Sequence, residues 1–91
     1  MRLDKYLKVS RIIKRRTVAN EACAGGRVSL NGKPAKPGAE VKPMDRLTIR
    51  FGNHTGEYEI VSVAETVRKE EADEMYRILS EDALTAQERN G

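Results

Sequence analysis

A pair of glycines at positions 25 and 26 separates two kinds of hydrophobic spacing in this chain of 91 residues. Before the pair, apolar residues recur four positions apart, as at Leu3 and Leu7, which places them on one face of a helix. After the pair, Val28 and Leu30 alternate with polar residues, which is typical of a strand with one buried face. Because glycine commonly follows the C-terminus of a helix, the pair predicts that helices precede a β-sheet.

Short helices and strands account for the first two thirds of the chain. The spacing predicts helices over 2–8 and 15–24, and strands over 27–30, 46–51 and 57–63. Asn31-Gly32 is the strongest short signal for a hairpin, and 52–56 is the expected loop of a second hairpin. The predicted fold class is therefore α+β, with two helices and a short β-sheet.

The last quarter of the chain has the spacing of a charged helix over 66–80. Its apolar stripe would consist of Ala72, Met75, Tyr76 and Leu79. We expect this stripe to dock on the sheet, and a protein partner for the acidic residues of the helix is the alternative. Residues 81–91 are expected to fray. The chain would thus comprise a first unit over 1–64, ending in a strand, and a C-terminal helix with its tail over 65–91.

Charge is distributed unevenly along the chain. Residues 1–50 contain 13 Lys and Arg against 4 Asp and Glu, whereas residues 51–91 contain 4 against 10. A basic half of this kind predicts a face that binds a polyanion. A chain of this length supports one modest core, which excludes an enzyme with separate cofactor and substrate domains. Glycine-rich phosphate loops, zinc spacings and nucleophile–base pairs are missing from the sequence, so we predict no catalysis, no cofactor and no metal.

Membrane and secretory signals are also missing from the sequence. No apolar run approaches the roughly 18 residues that span a bilayer. The first residues lack the apolar centre of a secretory signal, so we expect a cytoplasmic protein without a membrane partner. Cys23 is the single cysteine, and its place on the apolar face of the second helix predicts a buried, reduced thiol.

A series of spaced residues between positions 1 and 51 forms a longer pattern. It reads Arg2-Leu3-Asp4-Lys5-x-Leu7, Arg11, Arg16-Thr17-x-Ala19, Gly26-x-Val28-x-Leu30-Asn31-Gly32, Pro37, Val41 and Asp45-x-Leu47. This pattern resembles the S-four RNA-binding domain, a module of two helices followed by strands. The resemblance implies that the two helices and the first hairpin form an RNA-binding surface within the unit over 1–64.

A free-standing module with Ile13-Lys14-Arg15-Arg16, a following strand pair and a charged helix resembles the small, ribosome-associated branch of this family. The short length and the run Lys-Glu-Glu-Ala-x-x-Met-Tyr at 69–76 favour the quality control members of that branch. That branch includes a bacterial ribosome quality control factor of the peptidyl site and a fifteen-kilodalton heat-shock ribosome-binding protein. The resemblance implies a non-enzymatic partner of the large ribosomal subunit that binds large-subunit rRNA and peptidyl-tRNA. It would act with a nascent-chain tailing factor on stalled chains, and we expect a monomer.

Three other functions stay open at this point. The first is the heat-shock type of recycling of blocked large subunits. The second is ribosome assembly or RNA chaperoning. The third is an accessory role in trans for an RNA-modifying enzyme.

The predicted RNA-binding residues are the cations and two polar residues of the basic half: Arg2, Lys5, Lys8, Arg11, Lys14, Arg15, Arg16, Thr17, Asn20, Arg27 and Lys33. Four cations fall within 11–16, at the N-terminus of the second helix, where free amides favour phosphate. The family often has Ser at the position of Arg15, so a hydroxyl cap is missing here. Thr17 as a helix cap, Asn20 as an idle exposed residue and Lys33 as a simple turn residue are the alternatives.

Three further residues are expected to have structural roles. Asp4 would orient neighbouring cations, and His54 would lie exposed in a loop. Tyr6 would pack in the core, with base stacking as the alternative. Because sequence-specific readout of single strands relies on exposed aromatic residues, the sequence predicts recognition of RNA shape and backbone.

Overall fold

Two short helices precede a five-stranded antiparallel sheet in the computed structural model, which describes the backbone of residues 1–81 and the side chains of residues 1–79. The helices are α1 (Leu3–Val9) and α2 (Arg16–Ala24). The strands are β1 (Val28–Leu30), β2 (Lys33–Pro34), β3 (Arg46–Phe51), β4 (His54–Ile60) and β5 (Tyr76–Glu81). They lie in the order β2-β1-β3-β4-β5. This arrangement confirms the predicted α+β class.

Helix α1 is amphipathic and packs against α2. Leu3, Tyr6 and Leu7 are fully buried on its inner side. The buried residues of α2 are small (Ala19, Ala22 and Cys23), which allows the two helices to approach closely. After α2, Gly26 has a φ of 78°, a conformation that glycine adopts without the steric cost of a Cβ atom, and the chain turns into β1.

The hairpin between β1 and β2 has the turn that Asn31-Gly32 predicts, with φ of 53° and 87° at these residues. The Asn31 amide donates to Oδ1 of the buried Asp45 at 3.1 Å, and the Arg46 N–H donates to Oδ1 of Asn31 at 3.0 Å. These bonds join the tip of the first hairpin to the start of β3. The hairpin that carries Lys33 is therefore a fixed part of the sheet.

The second hairpin starts its return strand earlier than predicted. Strand β4 begins at His54, so the loop is shorter than 52–56, and the strand ends before 61–63. His54 is half-buried and its ring stacks on Phe51 with centroids 5.5 Å apart, so the prediction of an exposed histidine is wrong. Further along β4, the Tyr58 ring covers Gly56 so closely that a Cβ there would lie 2.6 Å from the Tyr58 hydroxyl.

The predicted helix over 66–80 is wrong in length and type. The chain forms a 3-10 helix over Lys69–Met75 and then the strand β5, which pairs antiparallel with β4. The predicted helix does not extend to residue 80 because the backbone groups of residues 76–81 form hydrogen bonds with the edge of β4, which is distant in sequence. Of the predicted stripe, Ala72 and Met75 are buried and Met75 belongs to the hydrophobic core, whereas Leu79 is exposed. The predicted fraying of the tail beyond residue 81 lies outside the described residues.

The C-terminal segment is tied to α1 through Tyr6. Its hydroxyl donates to the Met75 carbonyl at 2.7 Å, and burial, with a smaller effect of the nearby Tyr76, raises the Tyr6 pKa far above its usual value. This confirms that Tyr6 packs in the core, so it cannot stack on a base. Among residues 1–81, every helix is too short or too polar to cross a membrane.

Candidate nucleic-acid interface

Asp4 is a buried carboxylate that holds three side chains at one place on the helical face. Asp4 is only 2% exposed to solvent. The Arg2 guanidinium donates to both carboxylate oxygens, from Nε to Oδ1 at 3.2 Å and from Nη2 to Oδ2 at 3.3 Å. Arg16 donates to Oδ1 at 3.5 Å and the Asn20 amide donates to Oδ2 at 3.3 Å. We call these four residues the Asp4 cluster, and it confirms that Asp4 orients its cationic neighbours.

The electrostatic balance of the Asp4 cluster keeps the carboxylate ionised. Burial acts to raise the Asp4 pKa, but the hydrogen bonds from Asn20 and Arg2 and the charges of Arg16 and Arg2 outweigh it. The Asp4 pKa therefore lies below its usual value. Arg2 and Arg16 remain about half exposed, so their outer donors are free to meet an anion.

A concavity opens beside the Asp4 cluster, between the helices and the loop after β2. The loop is fixed to the start of α1, because the Leu3 and Asp4 N–H groups donate to the carbonyls of Ala39 and Pro37 at 2.8 and 3.1 Å. The concavity is lined by Arg2, Asn20, Leu30, Lys33, Pro34, Ala35, Lys36, Pro37, Gly38 and Ala39. The structure thus brings Lys33 of the hairpin beside Arg2 and Asn20.

Lys36 also lines this concavity, although the sequence did not predict it as an RNA-binding residue. It is exposed, and it lies in an irregular proline-containing loop without any periodicity that would predict its direction. Lys36 follows Lys33 by three residues, but that spacing places two side chains on the same face only in a helix, so it does not predict that Lys36 lies beside Lys33 here.

The start of α2 lacks a side-chain cap, as the sequence suggested. Arg15 is the N-cap residue and makes no capping hydrogen bond, so Thr17 is a residue of the first turn and the alternative of Thr17 as the cap is wrong. Thr17 is exposed and lines a shallow surface depression with Arg16, Asn20 and Asp4. Asn20 is held by Asp4, so the alternative of an idle Asn20 is wrong as well.

A second concavity lies at the other end of α1. Lys8, Arg11 and Lys14 line it together with Val9, and its far wall is the segment 65–67. We call Lys8, Arg11 and Lys14 the turn cluster. Lys5 projects toward the same wall and forms an ion pair with Glu65. Helix α1 thus places Arg2 and Lys8 in different concavities, and the predicted basic face is divided into two.

Arg27 lies at the opposite end of α2 from Arg16. Its N–H donates to the Ala22 carbonyl at 2.9 Å, and its Nε is near Gly25 at the helix terminus. It therefore flanks the interface and does not contribute to the Asp4 cluster. Within residues 1–81, no three His, Cys, Asp or Glu side chains come together in a way that would hold a metal ion.

Comparisons with known proteins show the family to which the chain belongs. The family model of the S4 domain matches residues 1–47. A protein of Halalkalibacterium halodurans named RQC P-site tRNA stabilizing factor is 53% identical over 88 residues, which cover 97% of this chain and 100% of that protein. The protein of the same name from Bacillus subtilis is 52% identical over 84 residues, covering 92% and 98%.

A solved structure has the same fold. The Vibrio cholerae Heat Shock Protein 15, described as trimeric, superposes with a TM-score of 0.82 at 34% identity, covering 100% of this chain and 92% of that one. The motif spaced between residues 1 and 51, the two-helix and sheet architecture and the extent of these matches all agree. The chain belongs to the S4 domain family.

Proposed function

We propose that this protein binds the large ribosomal subunit through rRNA and peptidyl-tRNA and stabilises the tRNA in the peptidyl site during ribosome quality control. It would hold the stalled nascent chain in place while a tailing factor supports the addition of C-terminal residues. The observation that carries the proposal is the Asp4 cluster, in which a buried carboxylate presents two arginines on one face. The names of the relatives point to the peptidyl-site tRNA as the ligand.

The Asp4 cluster suits recognition of an RNA backbone. A guanidinium can donate to two oxygens of a phosphate at once, and fixing it beforehand lowers the entropy lost on binding. Arg2 and Arg16 each use part of their donor set on Asp4 and keep the remainder for a ligand. The uncapped amides at the start of α2 add positive potential beside Arg16.

Base-specific readout has little support in this arrangement. The single aromatic residue well inside the basic half, Tyr6, is buried and bonded to Met75. Sequence-specific recognition of unpaired bases generally requires an exposed stacking surface. We therefore propose that the protein reads the shape and backbone of structured RNA and has no catalytic role, so that bond formation stays with the ribosome.

The proposal is tested by sedimentation with large subunits that carry peptidyl-tRNA. Arg2→Ala and Arg16→Ala variants, shown to be folded by circular dichroism, should lose at least about tenfold in affinity, as expected for charge-assisted contacts. Lys42→Ala is the matched control, because Lys42 is exposed and lines neither concavity. Wild-type binding by both arginine variants would contradict the proposed interface.

The similarity to Heat Shock Protein 15 favours one other candidate, the recycling of blocked large subunits without tailing. Cells with and without the protein separate the two functions, because tailing leaves untemplated residues at the C-terminus of stalled chains. Loss of these additions on deletion supports quality control, and unchanged additions with accumulating blocked subunits support recycling. We propose a monomer in solution, which analytical ultracentrifugation would test.

A further inference from the structure

The turn cluster differs from an ordinary charged surface because its three cations line one concavity. Lys8 comes from the last turn of α1, and Arg11 and Lys14 come from the connection to α2. The opposite wall is formed by Glu65, Thr66 and Val67, which precede the 3-10 helix. The three cations would therefore meet a ligand from one wall of the concavity, opposite the segment 65–67.

The part of the chain that the structure describes gives the turn cluster no ion-pair partner. Among the side chains that the structure describes, no carboxylate lies within ion-pair distance of Lys8, Arg11 or Lys14. Glu65, the one acidic residue on the wall, is already paired with Lys5, whose hydrogen bond and charge lower the Glu65 pKa. The concavity therefore carries several unpaired positive charges, which attract an anion.

Arg11 directly follows Ser10, the C-cap residue of α1. Arg11 has a φ of 65°, in the left-handed region that favours glycine and is costly for residues with a Cβ atom. The turn is held in place by bonds from the Arg11 and Ile13 N–H groups to the carbonyls of Lys8 and Leu7, both 3.1 Å. Helices commonly end in a left-handed residue at this position, where glycine is preferred, and here the position holds an exposed cation.

We propose that the turn cluster is a second phosphate-binding site, which contacts the backbone of the bound RNA at the opposite end of α1 from the Asp4 cluster. This inference rests on the proposed function, since it takes the ligand to be RNA. Arg2 and Lys8 lie about 9 Å apart along α1, since Lys8 is six positions after Arg2 and each position adds about 1.5 Å. One RNA would thus be held at two places, in a fixed orientation.

The test is the salt dependence of binding to a labelled RNA hairpin between about 50 and 200 mM salt. The double variant Lys8→Gln/Lys14→Gln should reduce the slope of log affinity against log salt by about 2, with affinity about tenfold lower at the lower salt. The control Lys42→Gln/Lys69→Gln removes the same charge from exposed residues that line neither concavity, and should keep the wild-type slope.

A pair of glycine substitutions separates binding from stability. Arg11→Gly and Met44→Gly both relieve a left-handed backbone, at φ of 65° and 79°, so both should raise the Tm by about 4 °C. Only Arg11→Gly should also lower the salt slope, by about 1. A variant that gains stability and loses RNA affinity cannot be explained by unfolding.

The experiments can reject the second phosphate-binding site without rejecting the proposed function. A wild-type slope for Lys8→Gln/Lys14→Gln overturns the second site, and so does an affinity loss without a change in slope. If Arg2→Ala and Arg16→Ala lose binding in that same experiment, the proposed function stands without the second site. If those two variants bind as wild type, the proposed function fails whatever the turn cluster does.

Discussion

The Asp4 cluster and the turn cluster lie near opposite ends of α1 and both carry exposed cations, yet they differ in how their charge is held. In the first, a buried carboxylate bonds two arginines and leaves one net positive charge. In the second, three cations line a concavity without an ion-pair partner among the described side chains. The number of cations along a sequence therefore does not distinguish preorganised donors from unneutralised charge.

The two arrangements should contribute different properties to binding. Preorganised guanidiniums favour a particular geometry and lose little entropy when a phosphate arrives. Unneutralised charge attracts any phosphate backbone and weakens steeply as salt rises. We therefore expect the Asp4 cluster to determine how the RNA is oriented and the turn cluster to determine how strongly binding depends on salt.

The largest effect should come from breaking the Asp4 cluster. Asp4→Asn removes the charge that holds Arg2 and Arg16 but keeps the side-chain size, so unfolding by urea should show a loss of about 2 kcal/mol. RNA affinity should fall by at least about tenfold, because both guanidiniums lose their fixed positions. Glu40→Gln is the control, since Glu40 forms an exposed pair with the N-terminal amine and should cost less than about 1 kcal/mol. Equal losses of unfolding free energy in Asp4→Asn and Glu40→Gln would show that the Asp4 cluster contributes no more to stability than an exposed ion pair.

A smaller effect should distinguish arginine from lysine at the two clusters. Arg16→Lys keeps the charge but loses the planar fork, so affinity should fall about tenfold while the salt slope stays unchanged. The reciprocal change, Lys14→Arg, should alter affinity by less than about twofold, because the turn cluster acts through charge. Fluorescence anisotropy with the labelled hairpin measures both, and similar effects of the two substitutions would remove the proposed difference.

The difference in stability between wild type and Asp4→Asn should report the Asp4 cluster through its pH dependence. The Asp4 pKa is lowered in the folded state, so its contribution is complete above the unfolded pKa of about 4 and is lost as pH falls through the folded value. The difference in unfolding free energy between wild type and Asp4→Asn should therefore be constant from pH 7 to about 5 and shrink below about 4. Lys14→Gln, in the turn cluster, should show a pH-independent difference from wild type; a difference that grows in acid for Asp4→Asn would contradict the assigned direction.

The smallest effect concerns Cys23, which is buried near the Asp4 cluster. Burial, assisted by the negative charge of Asp4, raises the pKa of its thiol to about 11. Thiol reagents at neutral pH should therefore modify Cys23 only when the helices open, at a rate that follows unfolding. Asp4→Asn should speed the modification and Lys14→Gln should not. Fast labelling of the folded wild type would show that α1 and α2 are not packed as described.

Local signals predicted much of the helical half and the first hairpin. The spacing of Leu3 and Leu7, the glycines after α2 and the Asn31-Gly32 turn act over a few residues, and the structure places each of them as expected. The role of Asp4 was also predictable, because a lone carboxylate among cations needs partners once it is buried. Membership of the S4 domain family followed from the same stretch of residues.

Contacts between distant segments decided the rest. The apolar residues near 76 fit a helical stripe as well as a strand, and the open edge of β4, which the local spacing does not show, made them β5. Lys36 joined the candidate site because its loop is bonded to the start of α1. The division of one basic segment into two clusters likewise follows from which side of α1 each cation faces and from the buried position of Asp4. The short-range elements, the charge and the family can thus be predicted from the residues alone. Which cations are fixed by a carboxylate and which remain unneutralised depends on burial and on neighbours far along the chain, so only the folded protein shows it.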